Sequence, residues 1–87
     1  MINSHERSDI IHIMKINRLT LSDSDTAQLS FNGQVKGNDY QITILVEEHL
    51  PWVIIKQNGK VIFNDMMKSI DDLKIFLEER LYTYLQL

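Results

Sequence analysis

The chain has 87 residues, 44% of them hydrophobic and 24% charged, with a net charge of −3 and no cysteine. That length suits one small domain with a real core, and the composition excludes whole-chain disorder and a disulfide scaffold. The mild acidity argues against generic binding to a phosphate backbone, which rests on surplus Lys and Arg.

No stretch reaches the run of ~18 apolar residues that a membrane span needs. The opening "MINSHERSD" has no cationic segment leading into an apolar one, so no secretory signal is read there. Together with the missing cysteines this predicts a cytoplasmic protein. Residues 1–9 read as a flexible polar tail and 10–87 as a single α+β domain.

The segment 10–21, "IIHIMKINRLTL", is ambiguous. Ser8 can cap a helix that carries Ile10, Ile13 and Met14 on one face. The β-branched residues and the alternation of Leu19 and Leu21 with Arg18 and Thr20 favour a strand over 14–21 instead. "SDSDT", 22–26, is a turn cluster.

In "AQLSFNGQVK", 27–36, Ala27, Leu29, Phe31 and Val35 alternate with polar residues, and in 39–48 Tyr40, Ile42, Ile44 and Val46 do the same. Gly37-Asn38 between them predicts a type II′ turn that pairs Val35 with Tyr40, Phe31 with Ile44 and Leu29 with Val46. Pro51 cannot donate to a ladder and marks a strand start. "WVIIKQNGKVIF", 52–63, is a second hairpin, with Asn58-Gly59 as a type I′ turn. Its register pairs Ile54 with Phe63, Ile55 with Ile62 and Lys56 with Val61, and assigns Trp52, Ile54, Val61 and Phe63 to the core face. Residues 69–87 predict a helix: Ser69 caps it, Asp71 and Asp72 favour its N-terminus, and Ile70, Leu73, Phe76, Leu77, Leu81, Tyr84 and Leu85 form a stripe. The expected fold is an antiparallel β-meander of about five strands with one C-terminal α-helix on one face.

Both hairpin flanks are apolar without a break, so that assignment leaves Leu45, Val53, Ile55 and Ile62 as a patch on the face away from the helix. Burying one aliphatic side chain is worth roughly 1.5–3 kcal/mol. Four such groups call for a cover: residues 10–14, or another chain, identical or foreign. Ile75 and Tyr82, one heptad apart on the outer side of the helix, form a second candidate surface. These six residues are the expected partner-binding positions.

Catalytic chemistry is not indicated. There is no cysteine nucleophile and no glycine-rich phosphate loop, and His5, His12 and His49 have no metal-ligand spacing. "DSD", 23–25, has the acidic spacing that opens a calcium loop but lacks the loop's glycine and distal glutamate, and reads as a turn. Glu47, Glu48 and His49 read as a solvated loop. The predicted aromatics fall on the helix-covered face, which disfavours base stacking. The expectation is a small non-enzymatic protein-interaction protein without cofactor: a regulator, inhibitor or accessory subunit of phage or mobile-element type, with self-association as one form of its partnership. A nucleic-acid-associated protein of a phage or plasmid replication region is the alternative.

Overall fold

The computed structural model describes residues 3–25, 27–46 and 50–85. In chain order they form α1 (Ser4–Ile16), β1 (Thr20–Ser24), β2 (Gln28–Val35), β3 (Asn38–Leu45), β4 (Trp52–Gln57), β5 (Lys60–Met66), α2 (Ile70–Glu79) and α3 (Leu81–Leu85). The five strands make one antiparallel meander in sequence order, as expected for this α+β chain.

The N-terminal segment departs from expectation. Residues 4–9, read as a tail, are the first turns of α1, and only from Thr20 does the 14–21 segment become a strand. The helix is fixed at both ends by local chemistry. The side chain of Asn3 accepts the Glu6 N–H at 2.8 Å. In return Glu6 Oε1 accepts the Asn3 N–H at 3.0 Å. The pair is a reciprocal capping box. At the other end Arg18 takes the left-handed conformation (φ 65°). Its N–H bonds Lys15 O, and the Leu19 N–H bonds Met14 O, both at 3.0 Å. That is a Schellman stop with arginine where glycine is usual.

The first hairpin turns at Lys36-Gly37, both with positive φ (51° and 83°), one residue earlier than Gly37-Asn38. Leu29 therefore pairs with Ile44 and Phe31 with Ile42. The register differs from the expected one by two residues, and an even shift leaves every side chain on its expected face.

The second hairpin turns at Asn58-Gly59 as expected (φ 51° and 84°), and Lys56 pairs with Val61. One extra residue in β5, Ile62, then forms a bulge, so that Ile55 meets Phe63 and Ile54 meets Asn64. On its other side β4 sets Ile55 beside Ile42 and Val53 beside Ile44. Val53 and Ile55 therefore belong to the core face and are fully buried, and Trp52 and Ile54 lie on the opposite face. This reverses the expected assignment of β4.

The helical layer has three pieces. Ser69 Oγ accepts the Asp72 N–H at 3.0 Å and starts α2. The expected single C-terminal helix breaks at Arg80 (φ −121°), and α3 continues after it. Leu73, Phe76, Leu77, Leu81 and Leu85 join Ile10, Ile13 and Met14 of α1 in one core with Leu29, Phe31, Ile42, Ile44, Val53 and Ile55 of the sheet. Residues 10–14 thus pack into the same core as the C-terminal helices. Lys74 Nζ bridges α2 to the Asp9 carboxylate of α1 at 3.1 Å.

Candidate protein-interaction face

The meander gives the sheet two unlike faces, and the helices take only one. Across the other face the strand register sets side chains in rows. The first row runs Gln28, Leu45, Trp52, Met66; the second Ser30, Thr43, Ile54, Asn64; the third Asn32, Gln41, Lys56, Val61. Apolar residues gather on the β4 and β5 side, with Asn64 and Lys56 among them, and the β2 side consists of amides and hydroxyls. Lys56 is the one charged residue among these twelve positions, in a chain that is 24% charged. Charge depletion around Trp and Met is the compositional mark of an interface core.

Trp52 sits at the centre of the apolar end. Its indole Nε1–H donates to Asn64 Oδ1 on the neighbouring strand, which holds the ring across the face. Leu45, Trp52 and Ile54 are half-buried, and Val61 and Met66 each retain 47% of their surface.

Of the six expected partner-binding residues, Leu45 alone lies on this face. Val53 and Ile55 are core residues, and Ile62, at the bulge, packs half-buried against the core. Ile75 (48% exposed) and Tyr82 (51% exposed) stand on the outside of the helical layer as the spacing implied. The expected patch of Leu45, Val53, Ile55 and Ile62 is therefore not on this face; a different apolar group, Leu45, Trp52, Ile54, Val61 and Met66, lies there. Lys56 was the available signal: it shares strand parity with Trp52 and Ile54, and a lysine in a sheet points to water, which turns Val53 and Ile55 inward.

Other surfaces offer less. A groove of about 420 Å³ between β5 and α2 is walled by Phe63, Phe76 and Tyr84, whose rings pack at 4.9–5.9 Å, with Arg80 over Phe76 at 5.1 Å. Its rim carries Lys68 and Arg80 against Asp65 and Asp72, so its field has no sign preference. Among the described residues no three His, Asp or Glu side chains gather as a metal site. Asp25 Oδ1 accepts the Ala27 and Gln28 N–H groups at 2.7 and 2.9 Å. This is an Asx turn. The expected turn over 22–26 begins only at Asp25, because Ser22, Asp23 and Ser24 belong to β1, where Asp23 pairs with Ser30 and Ser24 with Leu29. The Glu47-Glu48-His49 cluster lies outside the described residues. No described helix is long and apolar enough to cross a membrane.

Comparison with known proteins returns no match, whether to a family model, a curated protein or a solved structure.

Proposed function

We propose that this is a small cytoplasmic interaction protein that works by occupying a partner surface through its open sheet face, without catalysis. A regulator, inhibitor or accessory subunit, including one of phage or mobile-element type, would act in this way. The supporting observation is the Trp52-centred apolar end of this face, where Leu45, Trp52, Ile54 and Met66 lie together and the charged residues Asp23, Asp39 and Lys56 stand away from that end. Trp and Met are enriched at interface cores, and uncharged polar neighbours suit a rim. The absence of cysteine fits a reducing compartment.

The nucleic-acid alternative gains one element, since Trp52 shares this face with Lys56 and could stack on a base. A single cation across those three rows supplies little of the phosphate neutralisation that such binding needs. The two readings separate in one experiment. A photo-crosslinking amino acid is placed at Ile54, on the face, and in a second variant at the exposed Glu78 of α2. Polypeptide adducts in the source cells from position 54 and none from 78 support the protein-interface reading. Nucleic-acid adducts support the alternative. No adduct from 54, or equal yields from both positions, overturns the use of this face.

A further inference from the structure

We propose that Met66 is a modification site: a peroxide converts its thioether to the sulfoxide ahead of Met14 and Met67, and the sulfoxide closes the open sheet face to an apolar partner. The proposal rests on reading that face as a protein interface and adds its regulation.

Three observations carry it. The first is access. Met14 is fully buried in the core and Met67 keeps 6% of its surface, whereas Met66 keeps 47%. A thioether is oxidised only where the oxidant reaches its sulfur, so the three methionines differ sharply in susceptibility. The chain has no cysteine, and no thiolate competes with Met66 for the peroxide.

The second is position. Met66 stands directly opposite Trp52 in the ladder. The next pair is closed by the Met67 N–H, which bonds Pro51 O at 2.7 Å. By alternation Trp52 and Met66 form the non-hydrogen-bonded kind of pair, in which cross-strand side chains lie closest. The thioether therefore sits beside the indole at the centre of the apolar end, outside the hydrophobic core.

The third is the lack of a donor for the new oxygen. Leu45, Ile54 and Val61 have no side-chain donor, and the Trp52 Nε1–H is committed to Asn64 Oδ1. The backbone N–H of Met66 itself is held by Asp65 Oδ1 at 2.8 Å. On the open face water satisfies a sulfoxide oxygen. Under an apolar partner that oxygen is buried without a hydrogen bond, which weakens the contact by roughly tenfold or more.

The step is a two-electron oxygen transfer. With hydrogen peroxide the sulfur lone pair attacks one oxygen, the O–O bond breaks as the S–O bond forms, and the other oxygen leaves as water with both protons. Sulfur is oxidised and the peroxide is reduced. Cellular sulfoxide reductases reverse such a change at the expense of thiols, which this chain does not supply.

The test treats the purified wild type, Met66→Leu and Met67→Leu with hydrogen peroxide, and maps sulfoxide by peptide mass against time. Each protein also carries the photo-crosslinking amino acid at position 54, and its adduct yield in extract of the source cells is measured before and after oxidation. Met66 sulfoxide is expected to form at least tenfold faster than sulfoxide at 14 or 67, and in denaturant the three should react alike. Trp52 emission should change in step with Met66 oxidation while circular dichroism stays that of the folded chain. Adduct yield should fall with Met66 sulfoxide in the wild type and in Met67→Leu. In Met66→Leu peroxide should leave the yield where it started, whatever that starting yield is. Equal oxidation of the three methionines in the folded protein overturns the proposal, as does a folded spectrum lost on Met66 oxidation. An adduct yield indifferent to complete Met66 oxidation overturns the switch and keeps the interface. No adduct from position 54 before oxidation overturns the interface reading and the switch with it.

Discussion

Asn58 in the turn of one hairpin is bonded twice to the backbone of Asp39 at the start of another. Its N–H donates to Asp39 O at 2.7 Å, and its side-chain Oδ1 accepts the Asp39 N–H at 2.9 Å. Its Nδ2 reaches Asn38 Oδ1 at 3.0 Å. One asparagine therefore tolerates the positive φ of a type I′ turn and also ties β4 and β5 to the β2–β3 hairpin. Asn58→Gly keeps the turn and loses the side-chain bonds, and is expected to cost about 1 kcal/mol. Asn58→Val loses both and should cost more, because a β-branched residue resists positive φ. Urea midpoints of the two variants give that order.

Gly33 and Gly59 separate two reasons for glycine. At Gly59 the φ of 84° is the constraint and a Cβ would meet open space. At Gly33 a Cβ would come within 2.7 Å of both Arg18 O and Leu19 Cδ2, where the chain leaving α1 crosses β2. A strand glycine without a turn role is expected from sequence to tolerate alanine well. The contact instead predicts that Gly33→Ala costs roughly 1–3 kcal/mol, through displaced backbone. Thermal denaturation of Gly33→Ala and Gly59→Ala should show comparable losses.

The face assignment of β4 is tested by two neighbouring residues. Val53→Lys puts a charge into the core beside Ile44. An unpaired buried charge costs enough to rival the whole stability of a small domain, roughly 5–15 kcal/mol. Ile54→Lys faces outward and should leave the fold intact. Leu77→Ala, in the helical half of the same core, should cost roughly 2–5 kcal/mol through the cavity it leaves. Circular dichroism in the absence of denaturant should find Val53→Lys unfolded and Ile54→Lys folded.

Asp9 and Lys74 link α1 to α2. The bond from Lys74 holds the Asp9 carboxyl below its ordinary value of 3.8, and the bond from Asp9 raises the Lys74 ammonium above 10.5. The aspartate's contribution is present at neutral pH and is lost as pH falls below 3.8 through the depressed folded value. The lysine's is present below 10.5 and is lost as pH rises through the elevated folded value. The gap in melting temperature between wild type and Asp9→Asn should be widest at neutral pH and close toward both extremes. A gap independent of pH would assign the effect to packing.

Arg18 closes α1 in the left-handed conformation without glycine's freedom. Left-handed backbone costs an L-residue roughly 1–2 kcal/mol. Arg18→Gly should therefore raise the denaturation midpoint modestly, with the fold unchanged by circular dichroism.

The meander, the core faces of β2 and β3, the Asn58-Gly59 turn and the Ser69 cap were all legible in the chain. Each is written in a signal spanning only a few residues: alternation with period two, an obligatory positive φ, or a hydroxyl beside free helix amides. The capping box at Asn3 and Glu6 was equally local, but its helix ends on arginine in place of glycine, and the alternation of Leu19 and Leu21 competes with the helical spacing before it. What the tertiary structure decided was the face of β4. Residues 52–55 are apolar at both parities, so alternation leaves only Lys56 to mark the outer face, and the pairings of Ile42 with Ile55 and Ile44 with Val53 fix it through contacts with β3. The bulge at Ile62 then re-aims β5, because one extra residue reverses every side chain beyond it. The candidate site follows from that choice: with Val53 and Ile55 inside, Trp52 and Ile54 face outward. That choice rests on burying apolar surface against strands and helices distant in sequence, a free energy that no short stretch of the chain carries by itself.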